Sequence, residues 1–249
     1  MKRILPPLIP MLIAIAVSEI AVRQGWIAAY LVPAPSAVLM AIVEGRVELF
    51  GALLKTTEGA LAGFALSTTL GIAVAVILSS SKRIQRAFYP YAVFFQTVPI
   101  IAIAPLLVIW FGYGMKTVIA SAFVVSIFPV IANTLTGILS TDPALRDMFT
   151  LYGASRRTTL FKLSLPAALP QILTGLRIAS GLAVIGAIVG EFIGGEGLGS
   201  VVDVARTQQR VDKVFAAVLL ASVLGLALFG LINRVSAMTL RRWHASEQA

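Results

Sequence analysis

No cysteine occurs in the 249 residues, which excludes disulfides, thiolate metal sites and cysteine nucleophiles. There is one histidine, His244, among the charges of the C-terminal stretch. A solvated tail histidine leaves no imidazole for chemistry within the apolar runs. Charge is scarce: Asp, Glu, Lys and Arg together make 12% of the chain, about half the share of a soluble domain. Acids are scarcest, 11 against 20 Lys and Arg, for a net charge of +9. No GxxxxGK[ST] run is found, so the chain carries no phosphate-binding loop of that kind. Basic residues do not interleave with aromatics in the RNA-binding manner, so the positive excess does not indicate nucleic acid.

What remains is apolar sequence. Hydrophobic residues make 58% of the chain and the mean hydropathy is +0.93, which places it in the membrane class. Lys2 and Arg3 precede an uncharged run over 4–18 that mimics a signal peptide. A retained first span is the preferred reading, because residues 20–22 extend the run to a marginal spanning length. Pro33 and Pro35 break structure, and 36–57 reads as a short interfacial or packed helix. The second span is 59–81, uncharged, with Gly59, Gly63, Ser67, Gly71 and Ala75 four apart. Such a stripe lets two helices approach closely. The third span, 87–111, contains Pro99 and Pro105, which bend or interrupt it. The fourth is 117–139 and the fifth 172–193. Gly186, Gly190 and Gly194, with Ala179, Ala183 and Ala187, form further small-residue stripes on the fifth. A flexible Gly-rich turn over 194–199 and a polar loop over 203–213 lead to the sixth, 214–232.

Six spans put both termini on one side. That side collects 13 of the 20 Lys and Arg but only 3 of the 11 acids. The positive-inside rule therefore places both termini, and the 141–170 stretch, in the cytoplasm. The expected fold is an all-α polytopic bundle of about six transmembrane helices. Its expected parts are an N-terminal helix with an extracytoplasmic segment (1–57), a core (58–236) and a cytoplasmic tail (237–249).

The polar interruption at 141–170 reads TDPALRDMFTLYGASRRTTLFKLSLPAALP. Thr141 or Asp142 caps a helix that starts at Pro143 and runs to about Tyr152. Gly153 is a left-handed stop, and Ser155 caps a second short helix over 156–163 that Pro166 ends. Leu145, Met148, Phe149 and Tyr152 share a face of the first helix. Their cover is either the chain's own spans or a second protein.

The stretch resembles the "EAA" loop of ABC-transporter permeases of the bacterial importer type. That pattern has an acid-Ala-Ala triplet, a Gly four residues after the last Ala, and an aliphatic-x-Leu-Pro run ten residues beyond the Gly. Asp147, Gly153, Leu163 and Leu165-Pro166 stand at those places, while Met148 and Phe149 replace the alanines. The segments LVPAPSAVL, QTVPIIAIAPLLVIWFGYG, LPQILTGLRIASG and GEFIGGEGLG resemble the nitrate/sulfonate/taurine branch, so the likeness covers nearly the whole chain. The resemblance implies a type I ABC importer (MetI-like) permease fold in a bacterial inner membrane. It implies a second permease copy, a homodimer, with a cytoplasmic ABC ATPase dimer and an extracytoplasmic solute-binding protein as partners. Asp147, Gly153, Ala154, Ser155, Arg156, Arg157, Leu165 and Pro166 are the implied coupling positions. ATP and Mg²⁺ belong to the ATPase, and the permease is expected to hold no cofactor, metal or catalytic group.

For the pathway, the polar candidates within the spans are Gln96, Thr97, Ser126, Asn133 and Ser180, with Pro99 opening the backbone beside the first two and Glu191 near the outer end. Glu191 is a candidate because an intramembrane carboxylate is functional by default. The reading places no buried Arg or Lys in the spans to hold a nitrate or sulfonate. The branch also includes carriers of thiamine-precursor pyrimidines and riboflavin, and a weakly polar cavity suits a neutral heterocycle better than an anion. A stand-alone secondary transporter or channel is the alternative. It would show acids paired at the midplane or an internal repeat, and neither is found.

Overall fold

The computed structural model describes residues 5–243, and Lys2, Arg3, His244 and the tail beyond 243 lie outside them. The described residues form eleven helices and no strand. They are α1 (Leu5–Arg23), α2 (Pro35–Glu44), α3 (Arg46–Ser79), α4 (Lys82–Thr97), α5 (Ile100–Phe111), α6 (Met115–Leu139), α7 (Pro143–Leu151), α8 (Arg156–Thr159), α9 (Leu165–Gly194), α10 (Leu198–Thr207) and α11 (Val211–Trp243). A π turn, Leu160–Ser164, joins α8 to α9.

Four described stretches are long and apolar enough to cross a membrane: Arg46–Ser79, Met115–Leu139, Arg156–Gly194 and Val211–Leu240. Of the other two expected spans, the first corresponds to α1, 19 residues long. The third is divided into α4 and α5. The break falls at Val98 and Pro99, both extended (ψ 122 for each). The proline ring disfavours a helical conformation for the residue before it, while Pro90 and Pro105 are accommodated inside the two helices.

α6 is the middle of the bundle, packed between α3 and α9. The small-residue stripe of α3 makes this approach possible. A Cβ on Gly63 would lie 2.9 Å from both the Ile119 carbonyl and the Phe123 amide of α6, and one on Gly71 would lie 2.9 Å from Val130. From the other side, a Cβ on Gly186 of α9 would lie 2.7 Å from the Ser121 carbonyl and 2.8 Å from Ala122 Cα. In the membrane no water-driven burial separates helix–helix from helix–lipid contact, so van der Waals packing at such small residues holds the spans together. Hydrophobic clusters run from one end of the bundle to the other. Val38, Leu49, Leu198 and Ala217 lie at the far end, Ala60, Ala122 and Ala183 in the middle, and Leu78, Leu135, Ala168 and Ile172 at the end that carries α7 and α8. This last is called the loop end below.

Three local expectations are corrected. Residues 46–57 are not a separate short helix, since α3 runs unbroken through them and the break lies at Gly45. The division at 57/58 therefore falls inside α3. The helix begun at Arg156 does not end at Pro166. It continues to Gly194, because the π turn widens the backbone just where the proline amide is missing. The 203–213 segment is mostly helix rather than loop, with α10 extending to Thr207.

Candidate functional site

The loop-end handle is built by local capping. Asp142 accepts a hydrogen bond from the Ala144 amide (2.8 Å) with Pro143 following it, which starts α7. Gly153 takes φ +70° and turns the chain. Any side chain is strained there. Ser155 then accepts from the Thr158 amide (3.2 Å) and starts α8. Asp147, Ser155, Arg156 and Arg157 are exposed, and Ala154, Leu165 and Pro166 are half-buried.

The apolar face of the handle is largely open. Leu151 is 87% exposed, Tyr152 84% and Phe161 65%. Leu145 and Met148 are also exposed, while Phe149 is half-buried against the chain itself. Leu151 and Phe161 were not picked out from the sequence, because the helical face drawn through Leu145, Met148, Phe149 and Tyr152 passes them by.

Arg146 is a second feature missed by sequence reasoning. Its Nη2 donates to the Ile138 carbonyl in the last turn of α6, the same oxygen that the Thr141 hydroxyl reaches at 2.9 Å. A cation on the carbonyl end of a helix is favourable, so α7 is bolted to α6 while α8 is continuous with α9. The stretch is thus attached to both helices of the central pair, with Gly153 at the turn between its two halves. Replacing Arg146 with alanine is expected to cost about 1–2 kcal/mol, several degrees in a chain this size. The check is thermal unfolding in detergent, with Arg146→Lys recovering part of the loss.

The pathway candidates fall in four places. Gln96, Thr97 and Pro99 sit exposed at the α4–α5 break, with the Thr97 hydroxyl donating to the Phe94 carbonyl (2.7 Å). Ser126 and Asn133 lie on α6 and bond back to carbonyls of their own helix, Ala122 (2.7 Å) and Pro129 (2.9 Å). Ser180 does the same on α9, to the Arg177 carbonyl (2.8 Å). Glu191 is at the far end, 2% exposed, and accepts from the Thr56 hydroxyl (3.0 Å) and the Gly199 amide (2.9 Å). Among the described residues no Arg or Lys is fully buried, but Arg177 lies half-buried in the seam between α9 and α11, with Nη2 donating to Ser236 Oγ at 3.1 Å.

Residues 67–240 match the family described as binding-protein-dependent transport system inner membrane component. The chain is 39% identical to the formylaminopyrimidine transport permease protein ThiX of Halalkalibacterium halodurans, with 83% of each chain covered. It is 36% identical to a probable ABC transporter permease protein of Haemophilus influenzae, covering 91% of this chain and 93% of the other. It is 32% identical to the putative aliphatic sulfonates transport permease protein SsuC of Bacillus subtilis, covering 86% and 78%. Among solved structures, an inward-facing MetNI methionine ABC transporter superposes with a TM-score of 0.70 at 17% identity, covering 78% of this chain and 97% of that one. At that identity the likeness is one of fold.

Proposed function

The chain belongs to the family of binding-protein-dependent transport system inner membrane components and is the multi-pass permease subunit of an ABC importer for small solutes; on that premise we propose that it imports a formylaminopyrimidine-type pyrimidine, driven through α7 and α8 by a separate cytoplasmic ATPase. The family works with an ATPase and a binding protein. The exposed side chains of Leu151, Tyr152 and Phe161, with exposed Arg156 and Arg157 between them in the chain, carry the coupling part of this reading. Large apolar side chains together with basic ones suit a partner that buries the first and pairs with the second. ATP and Mg²⁺ bind that partner, and the permease performs no chemistry itself.

The substrate part is supported by the 39% identity to a relative named for formylaminopyrimidine. An aliphatic sulfonate is the second reading, favoured by the relative of that name and by the half-buried Arg177 guanidinium. Two copies of the chain form the membrane part. Both termini face the cytoplasm in this reading, which the basic bias of the loops supports.

The test is reconstitution of the permease with its ATPase and binding protein in liposomes. ATP-dependent uptake of labelled formylaminopyrimidine, not reduced by excess alkanesulfonate, is the expected result. Uptake of the sulfonate in its place would replace the substrate, and ATP turnover without any need for the permease would remove the coupling role.

A further inference from the structure

Glu191 and Thr56 meet at the far end although 135 residues separate them. Both are fully buried, Glu191 at 2% exposure and Thr56 at 0%. What they hold is the start of α10. The cap residue of that helix is Gly197, which has no side chain to cap with. The first amides of a helix have no partner within it. Here the Leu198 amide donates to Thr56 Oγ1 (2.9 Å) and the Gly199 amide to Glu191 Oε2 (2.9 Å). The single proton of the Thr56 hydroxyl is shared between Glu191 Oε2 (3.0 Å) and the Ala52 carbonyl of its own helix (3.1 Å). Thus α10 is capped in trans, by a hydroxyl from α3 and a carboxylate from α9.

The glycines of the turn make room for this arrangement. Gly197 has φ +149°, and the Glu191 carboxylate occupies the space its Cβ would take. A Cβ on Gly199 would lie 2.8 Å from Glu191 Cβ. Across the turn, the Gly114 amide donates to the Gly194 carbonyl (2.6 Å), tying in the α5–α6 connection. The Gly-rich turn is therefore fixed around one side chain rather than flexible. α10 runs on from it to the start of α11, packing Val201 into the cluster with Val38, Leu49 and Ala217.

We propose that Thr56 and Glu191 are positioning residues for transport: together they clamp α10 to α3 and α9, so that the far rim moves as one body with the helix that the loop-end handle drives. This rests on the permease reading above, because only a chain that alternately opens its two ends needs its far rim carried by α9. Glu191 then acts through α10 rather than by touching the solute.

The chain has no cysteine, so a cysteine introduced at Ser200, on α10 beside the clamp, is a unique thiol. Its labelling rate in detergent needs neither ATPase nor substrate, and it separates failure of the clamp from failure of the transport reading. Thr56→Val keeps shape and removes the hydroxyl. Thr56→Ser keeps the hydroxyl, and Glu191→Gln keeps an acceptor. Loss of a buried hydrogen bond predicts about a 10-fold rise in labelling for Thr56→Val and Glu191→Ala. The double variant is expected to be no worse than the worse single one, and Thr56→Ser to match the parent. In the reconstituted complex the same two variants are expected to keep ATP turnover within about 2-fold and to lose about 10-fold in solute moved per ATP. Parental labelling in both Thr56→Val and Glu191→Ala would overturn the clamp. So would additive effects in the double variant, or equal losses of ATP turnover and transport.

Discussion

Valine at Gly63 or at Gly186 leaves little folded protein to extract from the membrane. Gly63 faces α6 from α3, and Gly186 faces the same turn of α6 from α9, so the Ser121–Phe123 stretch is held between them. An added Cβ on Gly63 would meet Ala122 Cβ, which has no torsion to move it aside, and the backbone Ile119 carbonyl and Phe123 amide (2.9 Å each), while one on Gly186 would meet the Ser121 carbonyl (2.7 Å) and Ala122 Cα (2.8 Å). Backbone within a helix cannot rotate aside as a flexible side chain can. The helices must separate, and separation forfeits the close contact that holds spans together in lipid. Overpacking of this kind costs about 1–3 kcal/mol per site, at the upper end or beyond where rigid backbone must move. Gly225 is the control, since its Cβ position on α11 meets nothing within 4 Å. Gly225→Ala should leave the midpoint unchanged or raise it, as glycine inside a helix costs about 1 kcal/mol relative to alanine. Size-exclusion profiles and thermal midpoints of the detergent-extracted variants are the measurement. A parental midpoint for Gly63→Val would mean that α3 and α6 do not pack this closely.

This central packing was legible in the sequence because it is periodic. Gly59, Gly63, Ser67, Gly71 and Ala75 recur every fourth residue, and a helix turns such a pattern into a continuous smooth face. All five are buried. The handle was legible for a different reason: its caps are local. Asp142 before Pro143, Gly153 and Ser155 each act within three residues of themselves, so chain order alone reveals them. What was not legible depends on partners distant in sequence. The π turn before Pro166 preserves a helix that a proline, read locally, should end. Arg177 counted as a loop-end charge, yet Ser236 on α11 draws it into a seam between helices. Glu191 was visible as an odd carboxylate followed by a glycine-rich run. Nothing near it in the chain names Thr56 as the other half of the arrangement.

The second large effect is expected at the handle, and it separates docking from folding. Leu151→Asp with Tyr152→Asp should abolish solute uptake and ATPase association while leaving the permease folded. Both side chains are more than four-fifths exposed, so the chain buries almost nothing with them, and exposed substitutions of this kind change stability by about 0.5 kcal/mol or less. A partner that covers them gains about 1.5–3 kcal/mol for each large apolar side chain. Replacing both with carboxylates removes that gain and places two negative charges beside Asp147, against the positive charges that Arg156 and Arg157 supply. The combined loss predicts docking weakened by at least about 100-fold. Phe161→Asp, on the π turn, should show a smaller loss in the same direction, because the chain already covers about a third of that side chain, which is 65% exposed. Arg156→Ala with Arg157→Ala should weaken docking chiefly at high ionic strength, since exposed charges contribute mainly through screened attraction. The measurement is co-purification and permease-stimulated ATP turnover, paired with the thermal midpoint of each variant. An unchanged midpoint with lost turnover places the ATPase on this face, whereas normal turnover in the double aspartate variant would move the contact elsewhere on the chain.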